Sequence, residues 1–321
     1  MRWVTRVGQL LLVAVVTWAI LRATGIQLGA LSTADLRQWR PAPGPIVAST
    51  ALLVLVYLAH AFLWRRIMHD LGIARPSRRA TVRVYFLSSL GRYVPGKVWQ
   101  VAGLAYFAGR AGMPPLEATT AAFIGQIGFL TSGLLFVTAL LPGWQGPTAA
   151  IAAVAVLILC AGAVFVLSHT DSGLRWRAWL RTRSPRIAGL FDLADRVRTG
   201  TAALWLVAYG LTWLVLGAAF ATFVGAFVDG MGPHARHFAG TIAAAYLSGY
   251  LFLLAPAGVG VREGVMTALL AQVVPTSAAI VIAVASRLWF TAAELLPLAA
   301  LPWLREPVRA NHENREFLET P

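Results

Sequence analysis

Charge is scarce in this chain of 321 residues, and lysine is the scarcest charge. Charged residues make up 12%, about half the share of a soluble domain, and Lys97 is the single lysine beside 26 arginines. One cysteine, Cys160, excludes an intrachain disulfide and sits within an apolar run. No His, Asp or Glu cluster has metal-ligand spacing, and no Ser-His-Asp or Cys-His arrangement stands out, so neither a metal nor another cofactor is expected. The longest polar stretch runs to about thirty residues, which leaves no room for an additional soluble enzymatic domain.

Apolar residues fill the space these absences leave. They make up 58% of the chain, and the mean hydropathy is +0.68, so lipid is the expected solvent. Full spans are predicted at about 5–22, 46–64, 117–141, 148–168, 203–228 and 278–304, each near the ~20 residues that cross ~30 Å of hydrocarbon. The first follows Arg2 and Arg6 like a signal peptide, but Ile20-Leu-Arg-Ala-Thr-Gly25 offers no small-x-small cleavage site; it reads as a retained helix. Two more apolar segments, about 84–107 and 238–274, are interrupted by Gly and Pro. The expected architecture is an all-α, polytopic helical bundle of about six full spans plus two broken, re-entrant elements.

The net charge of +14 does not point to nucleic acid, because the arginines lie in short patches between apolar runs. Patches at the N-terminus, 65–83, Arg110, 169–200 and the tail hold 19 of the 27 basic residues, against four (Arg22, Arg37, Arg40, Arg236) on the other side. The positive-inside rule then puts both termini in the cytoplasm, in a multi-pass protein of the inner membrane. In that topology 84–107 enters and leaves from inside and 238–274 from outside. One broken element from each face is the arrangement of an inverted repeat, and paired broken segments point to a transporter's binding site. The halves, about 1–168 and 201–305, form one transmembrane domain with a short tail at 306–321. They are joined by an amphipathic linker, 169–200, whose Trp176 and Trp179 among arginines suit an anionic lipid surface.

Four basic residues remain at apparent membrane depth: Arg92, Lys97, Arg262 and Arg287. A charge there costs about 2.5–3.5 kcal/mol by insertion scales, so it usually has a task. The first candidate site is Gly91-Arg-Tyr-Val-Pro-Gly-Lys97 with Gln100, that is Arg92, Tyr93, Pro95, Gly96, Lys97 and Gln100. A helix restarting after Pro95-Gly96 would aim free amides, and Lys97 a full charge, at a cavity that suits phosphate; the alternative is a snorkelling or loop lysine. It is no P-loop, lacking Gly-x4-Gly-Lys-Ser/Thr. The second is Pro256, Gly258, Gly260 and Arg262, with Glu263 at a helix start, where it could equally be a simple cap. The third is Arg287 and Glu294, seven residues apart and so on one helix face, placed to pair with Glu263 and Arg262 and to balance charge or pass a proton. A purely structural ion-pair network fits them equally well. His60 reads as a hydrogen-bonded core residue, and the Trp and Tyr population as interface belts.

At Ser89-Leu-Gly-Arg-Tyr-Val-Pro-Gly-Lys-Val-Trp-Gln100 and Pro256-Ala-Gly-Val-Gly-Val-Arg-Glu-Gly264 the chain resembles the flippase-like transmembrane domain of lysylphosphatidylglycerol synthases. Ala257 stands between Pro256 and Gly258, a departure that shifts the turn. The resemblance, over about 1–305, implies a lipid-translocating domain with re-entrant elements. It does not carry over synthase activity, which belongs to an appended cytoplasmic domain using aminoacyl-tRNA; the tail after Leu304 is too short for one. The expected function is movement of an anionic lipid headgroup, phospho- or polyprenyl-phosphate-linked, between leaflets. The alternative is a non-transporting accessory subunit that anchors a lipid-modifying enzyme or glycosyltransferase. An intramembrane enzyme ranks last.

Overall fold

Proline opens three of the four long helices, where its missing N–H and fixed φ cost nothing. A computed structural model describes residues 40–73, 76–93, 98–141, 199–251 and 260–299, with short pieces at 175, 178–179, 182–183 and 197. Helix α1 (Pro43–Asp70) is followed by the short α2 (Arg78–Ser89), a 3-10 turn at Leu90–Tyr93, the short α3 (Val98–Arg110) and α4 (Pro115–Leu140). The second half repeats that order with α5 (Thr199–Gly225), α6 (Ala235–Leu251), α7 (Val261–Leu270) and α8 (Thr276–Ala299). Pro43 and Pro115 lie in the first turns of α1 and α4, and Pro275 accepts the first α8 bond from Ala279 N–H at 2.9 Å. Among the described residues every regular element is helical.

The four long helices are long and apolar enough to cross a membrane; α1, with 28 residues, spans about 42 Å at 1.5 Å per residue. Leu204, Val207, Leu211 and Leu214 recur every three to four positions on α5 and stay exposed, a stripe that faces lipid. The chain is therefore a multi-pass helical membrane protein. Of the six predicted spans, 5–22 and 148–168 lie outside the described residues, as does most of the 169–200 linker. Helix α1 runs six residues past the predicted end at 64. Its extra turns carry polar contacts, Arg65 Nε donating to Pro76 O (2.7 Å) and Arg66 Nε to Asp70 Oδ2 (3.0 Å).

Helices α1 and α5 pack along one another in opposite directions. Ala42 N–H donates to Ala226 O (2.8 Å) at one end, and Trp205 Nε1–H to Asp70 Oδ2 (3.0 Å) at the other. Around this pair the two halves use matching contacts: α1 packs on α8 as α5 packs on α4, and α2 on α8 as α6 on α4. Within each half the short helices fold back on each other, α2 on α3 and α6 on α7. The α2–α3 hairpin starts beside the C-terminal end of α1 and returns there to begin α4, where Trp64 Nε1–H donates to Ala118 O (2.9 Å). The α6–α7 hairpin starts at the opposite end, where Gly240 abuts Leu141, and His237 Nε2–H donates to Leu269 O (2.8 Å) between its arms.

Aromatic side chains fill the centre, with Phe129 and Trp213 stacked at 4.3 Å. Here the interface-belt expectation needs correcting. Trp64 and Trp213 are buried in the bundle and donate to Ala118 O and Phe129 O, so each indole N–H finds a carbonyl that lipid could not supply.

Candidate functional site

The break between α2 and α3 owes its shape to Gly91. A Cβ there would meet Trp99 O at 2.5 Å and Gln100 Cα at 2.7 Å, so only glycine lets the 3-10 turn lie against the backbone that restarts as α3. This approach turns Arg92 toward α8 and leaves Gln100 half-buried in the first turn of α3. Tyr93 ends the 3-10 turn. Pro95, Gly96 and Lys97 lie outside the described residues, as do Pro256 and Gly258.

The second break is described from Gly260, whose φ of +84° is open to glycine at little cost. Gly260 is the N-cap of α7, and its N–H donates to Glu263 Oε2 at 2.8 Å. The cap reading of Glu263 is therefore right in geometry, with the carboxylate on the positive end of the helix. It is half the account, because Glu263 Oε1 also accepts from Arg287 Nε in a buried ion pair.

One face of α8 reads both breaks. Arg287 pairs with Glu263 of α7, Phe290 lies under Arg262, and Glu294 pairs with Arg92 of the first break. The expected pairing of Glu294 with Arg262 does not form. Arg262 and Glu263 are adjacent in the first turn of α7, whereas Glu294 lies about 10 Å along α8 from Arg287. Arg262 therefore meets the residue one turn beyond Arg287, and its guanidinium carbon sits 3.9 Å from the Phe290 ring centroid. Glu294 accepts a further bond from Tyr57 Oη (2.9 Å), halfway along α1.

Arg262 is 8% exposed, and both Nε and Nη2 are buried without a hydrogen-bond acceptor. Those two N–H groups form the side-on fork of the guanidinium, the edge that fits a carboxylate or phosphate bidentately. The cation–π contact offsets part of the burial cost, but it satisfies no N–H. Among the described residues the cluster holds three arginines and two glutamates, and both glutamates are engaged, so one positive charge is left over at Arg262. Electrostatically it sits beside Arg287, Glu263, Tyr57 and Tyr246.

Sequence reading missed Tyr57, Phe290, Tyr246 and Gln126. Tyr57 and Phe290 carry no charge within apolar runs and gave no signal. Tyr246 lies in electrostatic range of Arg92, Arg262 and Glu294, with the Gln126 amide close to its hydroxyl. Gln126 was visible as an isolated amide within a 26-residue apolar helix, the one clue that went unused. His60 is hydrogen-bonded to Thr212 Oγ1 (2.9 Å) and stands edge-on to Phe129, as a core residue should. Among the described residues no group of three or more His, Cys, Asp or Glu is placed to hold a metal.

Residues 6–293 match the family model of the lysylphosphatidylglycerol synthase TM region. No curated protein and no solved structure matches the chain. With both breaks, and with Arg92, Arg262, Glu263 and Arg287, inside the matched region, the chain belongs to the lysylphosphatidylglycerol synthase transmembrane-region family.

Proposed function

We propose that the protein is a lipid transporter that carries an anionic headgroup across the cytoplasmic membrane, with both termini in the cytoplasm and no catalysis of its own. The observation that carries this reading is the open fork of Arg262, a buried charge with two unaccepted donors where the two broken elements meet α8. A buried guanidinium without an acceptor is costly, and a phosphate oxygen pair removes that cost. Arg92, Lys97 and Arg262 would hold the phosphate, with Tyr93, Pro95, Gly96, Gln100, Pro256, Gly258 and Gly260 shaping the two breaks around it. Glu263, Arg287 and Glu294 balance the charge, so that among the described residues it is the positive charge of Arg262 that is left for an anion.

We read the halves as an inverted repeat. Supporting this are the opposed directions of α1 and α5, the matching contacts of the two halves, and hairpins that begin at opposite ends of the bundle. A site between such hairpins can open to either face by rocking one half against the other. The acyl chains stay in lipid while the headgroup passes between the breaks.

The test is reconstitution in liposomes with headgroup-labelled anionic lipids, leaflet exposure being read with an impermeant quencher. Wild type should move label faster than protein-free liposomes, and Lys97→Ala and Arg262→Ala should abolish the gain. Background-level movement for wild type across a broad lipid panel would defeat the proposal and favour an accessory subunit, to be sought by its co-purifying enzyme.

A further inference from the structure

The two buried glutamates of the cluster are held in different ways. Glu263 is committed twice: it pairs with Arg287, and its Oε2 accepts from Gly260 N–H (2.8 Å), which ties it to the start of α7. On Glu294, Arg92 Nη1 and Tyr57 Oη both donate to the same atom, Oε1, and both belong to side chains that can turn. Exposure separates the pairs as well. The Arg92 side chain is 27% exposed against 4% for Glu294, whereas Arg287 and Glu263 are 14% and 3% exposed. Arg92 is therefore the reachable member of its pair, and Glu294 the enclosed one.

That asymmetry gives anion binding a consequence. A carboxylate already engages Arg92, so an anion taken by the same guanidinium displaces Glu294 or comes to within about 5 Å of it. Like charges that close, in a site poor in water, are not both kept. A carboxylate so enclosed takes a proton at lower cost than it holds its charge away from its arginine. Tyr57 serves either state, since a phenol donates to a carboxylate and accepts from a carboxylic acid.

The other groups around Glu294 are less suited to the proton. α8 packs on α1, α2 and α7. From α1, His60 lies one turn beyond Tyr57 but is engaged by Thr212 Oγ1 (2.9 Å) and stands edge-on to Phe129 and Tyr209. Tyr85 of α2 and Tyr246 of α6 feel the charge of Glu294, but phenols are neutral near neutral pH. From α7 come Arg262 and Glu263, which meet α8 at Phe290 and Arg287.

We propose that Glu294 takes up one proton when an anionic headgroup claims Arg92, so that lipid and proton cross together. The proton comes from water at the face to which the site is open and adds to the Glu294 carboxylate. It leaves when the ligand leaves and the Arg92–Glu294 pair re-forms. The inference rests on the anion-binding reading above and adds to it the ion that travels with the lipid.

Calorimetric titration of the full-length protein in phosphatidylcholine nanodiscs tests it, with protein-free nanodiscs subtracted. The probe is dioctanoyl phosphatidylglycerol, whose phosphodiester charge does not titrate near neutral pH, and two buffers of different ionisation enthalpy count the protons. Wild type should take up about one proton per lipid bound, and its affinity should fall by up to about tenfold per unit rise in pH, because the bound state holds the extra proton. Glu294→Gln, whose amide oxygen still accepts from Arg92 and Tyr57, should bind the lipid with no proton uptake and a flat pH profile. Infrared difference spectra of wild type should gain the C=O band of a carboxylic acid on lipid binding, a readout that needs no variant. Lipid binding without proton uptake in wild type would overturn the coupling and leave the anion site standing. Uptake that survives Glu294→Gln would overturn it too, by giving the proton to His60 or another group. If wild type shows no saturable lipid binding, the anion reading itself fails and the coupling with it.

Discussion

Replacing Arg262 with methionine should make the protein more stable in the absence of lipid ligand and abolish the proposed transport. Arg262 is 8% exposed, its fork has no acceptor, and its neighbours include the like charge of Arg287. Methionine keeps the stem and much of the contact with Phe290 while removing a buried, unmatched charge. Replacing buried charge with apolar volume stabilises proteins by about 1–4 kcal/mol where the ions are poorly compensated. The cation–π contact at 3.9 Å works against this by about 1–2 kcal/mol, so the expected net gain is about 1–2 kcal/mol. Ligand binding moves the other way: losing two charge-assisted bonds at about 1.5–3 kcal/mol each lowers affinity by roughly 100-fold or more. Thermal unfolding in nanodiscs, with and without short-chain anionic lipid, measures both. Wild type should start lower and rise with lipid, whereas Arg262→Met should start higher and stay flat. A variant less stable than wild type without lipid would refute the reasoning, since Arg262 would then be a structural partner and its fork no vacancy.

Three further outcomes follow from single contacts. Glu263→Gln removes the carboxylate charge that faces Arg287 and weakens the α7 cap; it should cost about 3–5 kcal/mol, and adding Arg287→Met should restore much of it, as a double-mutant cycle would record. Tyr57→Phe removes the phenol bond to Glu294 and should cost about 1.5–3 kcal/mol in chemical denaturation. Gly91→Ala places a methyl 2.5 Å from Trp99 O, so it should open the first break and lower transport even where expression is normal.

Much of this bundle was written in composition. Runs of Leu, Val and Ala at 46–64, 117–141, 203–228 and 278–304 have few alternatives to a spanning helix, because lipid offers backbone groups no partners. The two broken segments were legible for the converse reason, since Pro and Gly mark where a helix cannot continue. Charge at depth singled out Arg92, Lys97, Arg262, Glu263, Arg287 and Glu294 as candidates; Lys97 lies outside the described residues, and the other five are brought together along one face of α8. The partner of each was not legible. That Glu294 meets Arg92 and not Arg262 depends on where the first break abuts α8, a contact between residues 202 positions apart. Tyr57 was hidden because a tyrosine in a span looks the same in sequence whether it faces headgroups or a carboxylate.

The proposed inverted relation between the halves carries a test that is independent of any ligand. Ala111 follows the α2–α3 hairpin and Ser277 follows the α6–α7 hairpin, and both are exposed. If α1 and α5 are counterparts that run in opposite directions, the two turns that hold these residues lie on opposite faces of the membrane. Cys160 is the only cysteine, so a Cys160→Ser background carrying Ala111→Cys or Ser277→Cys presents one thiol each, and both substitutions are small enough to leave the turns intact. An impermeant maleimide applied to intact spheroplasts should label Ser277→Cys and spare Ala111→Cys until the membrane is opened. Arg110, next to Ala111, favours the cytoplasmic side for it. Labelling of both thiols from the same face would place the two hairpins on one side. A headgroup could then not be handed from one break to the other across the bilayer, and the transport proposal would lose its geometry.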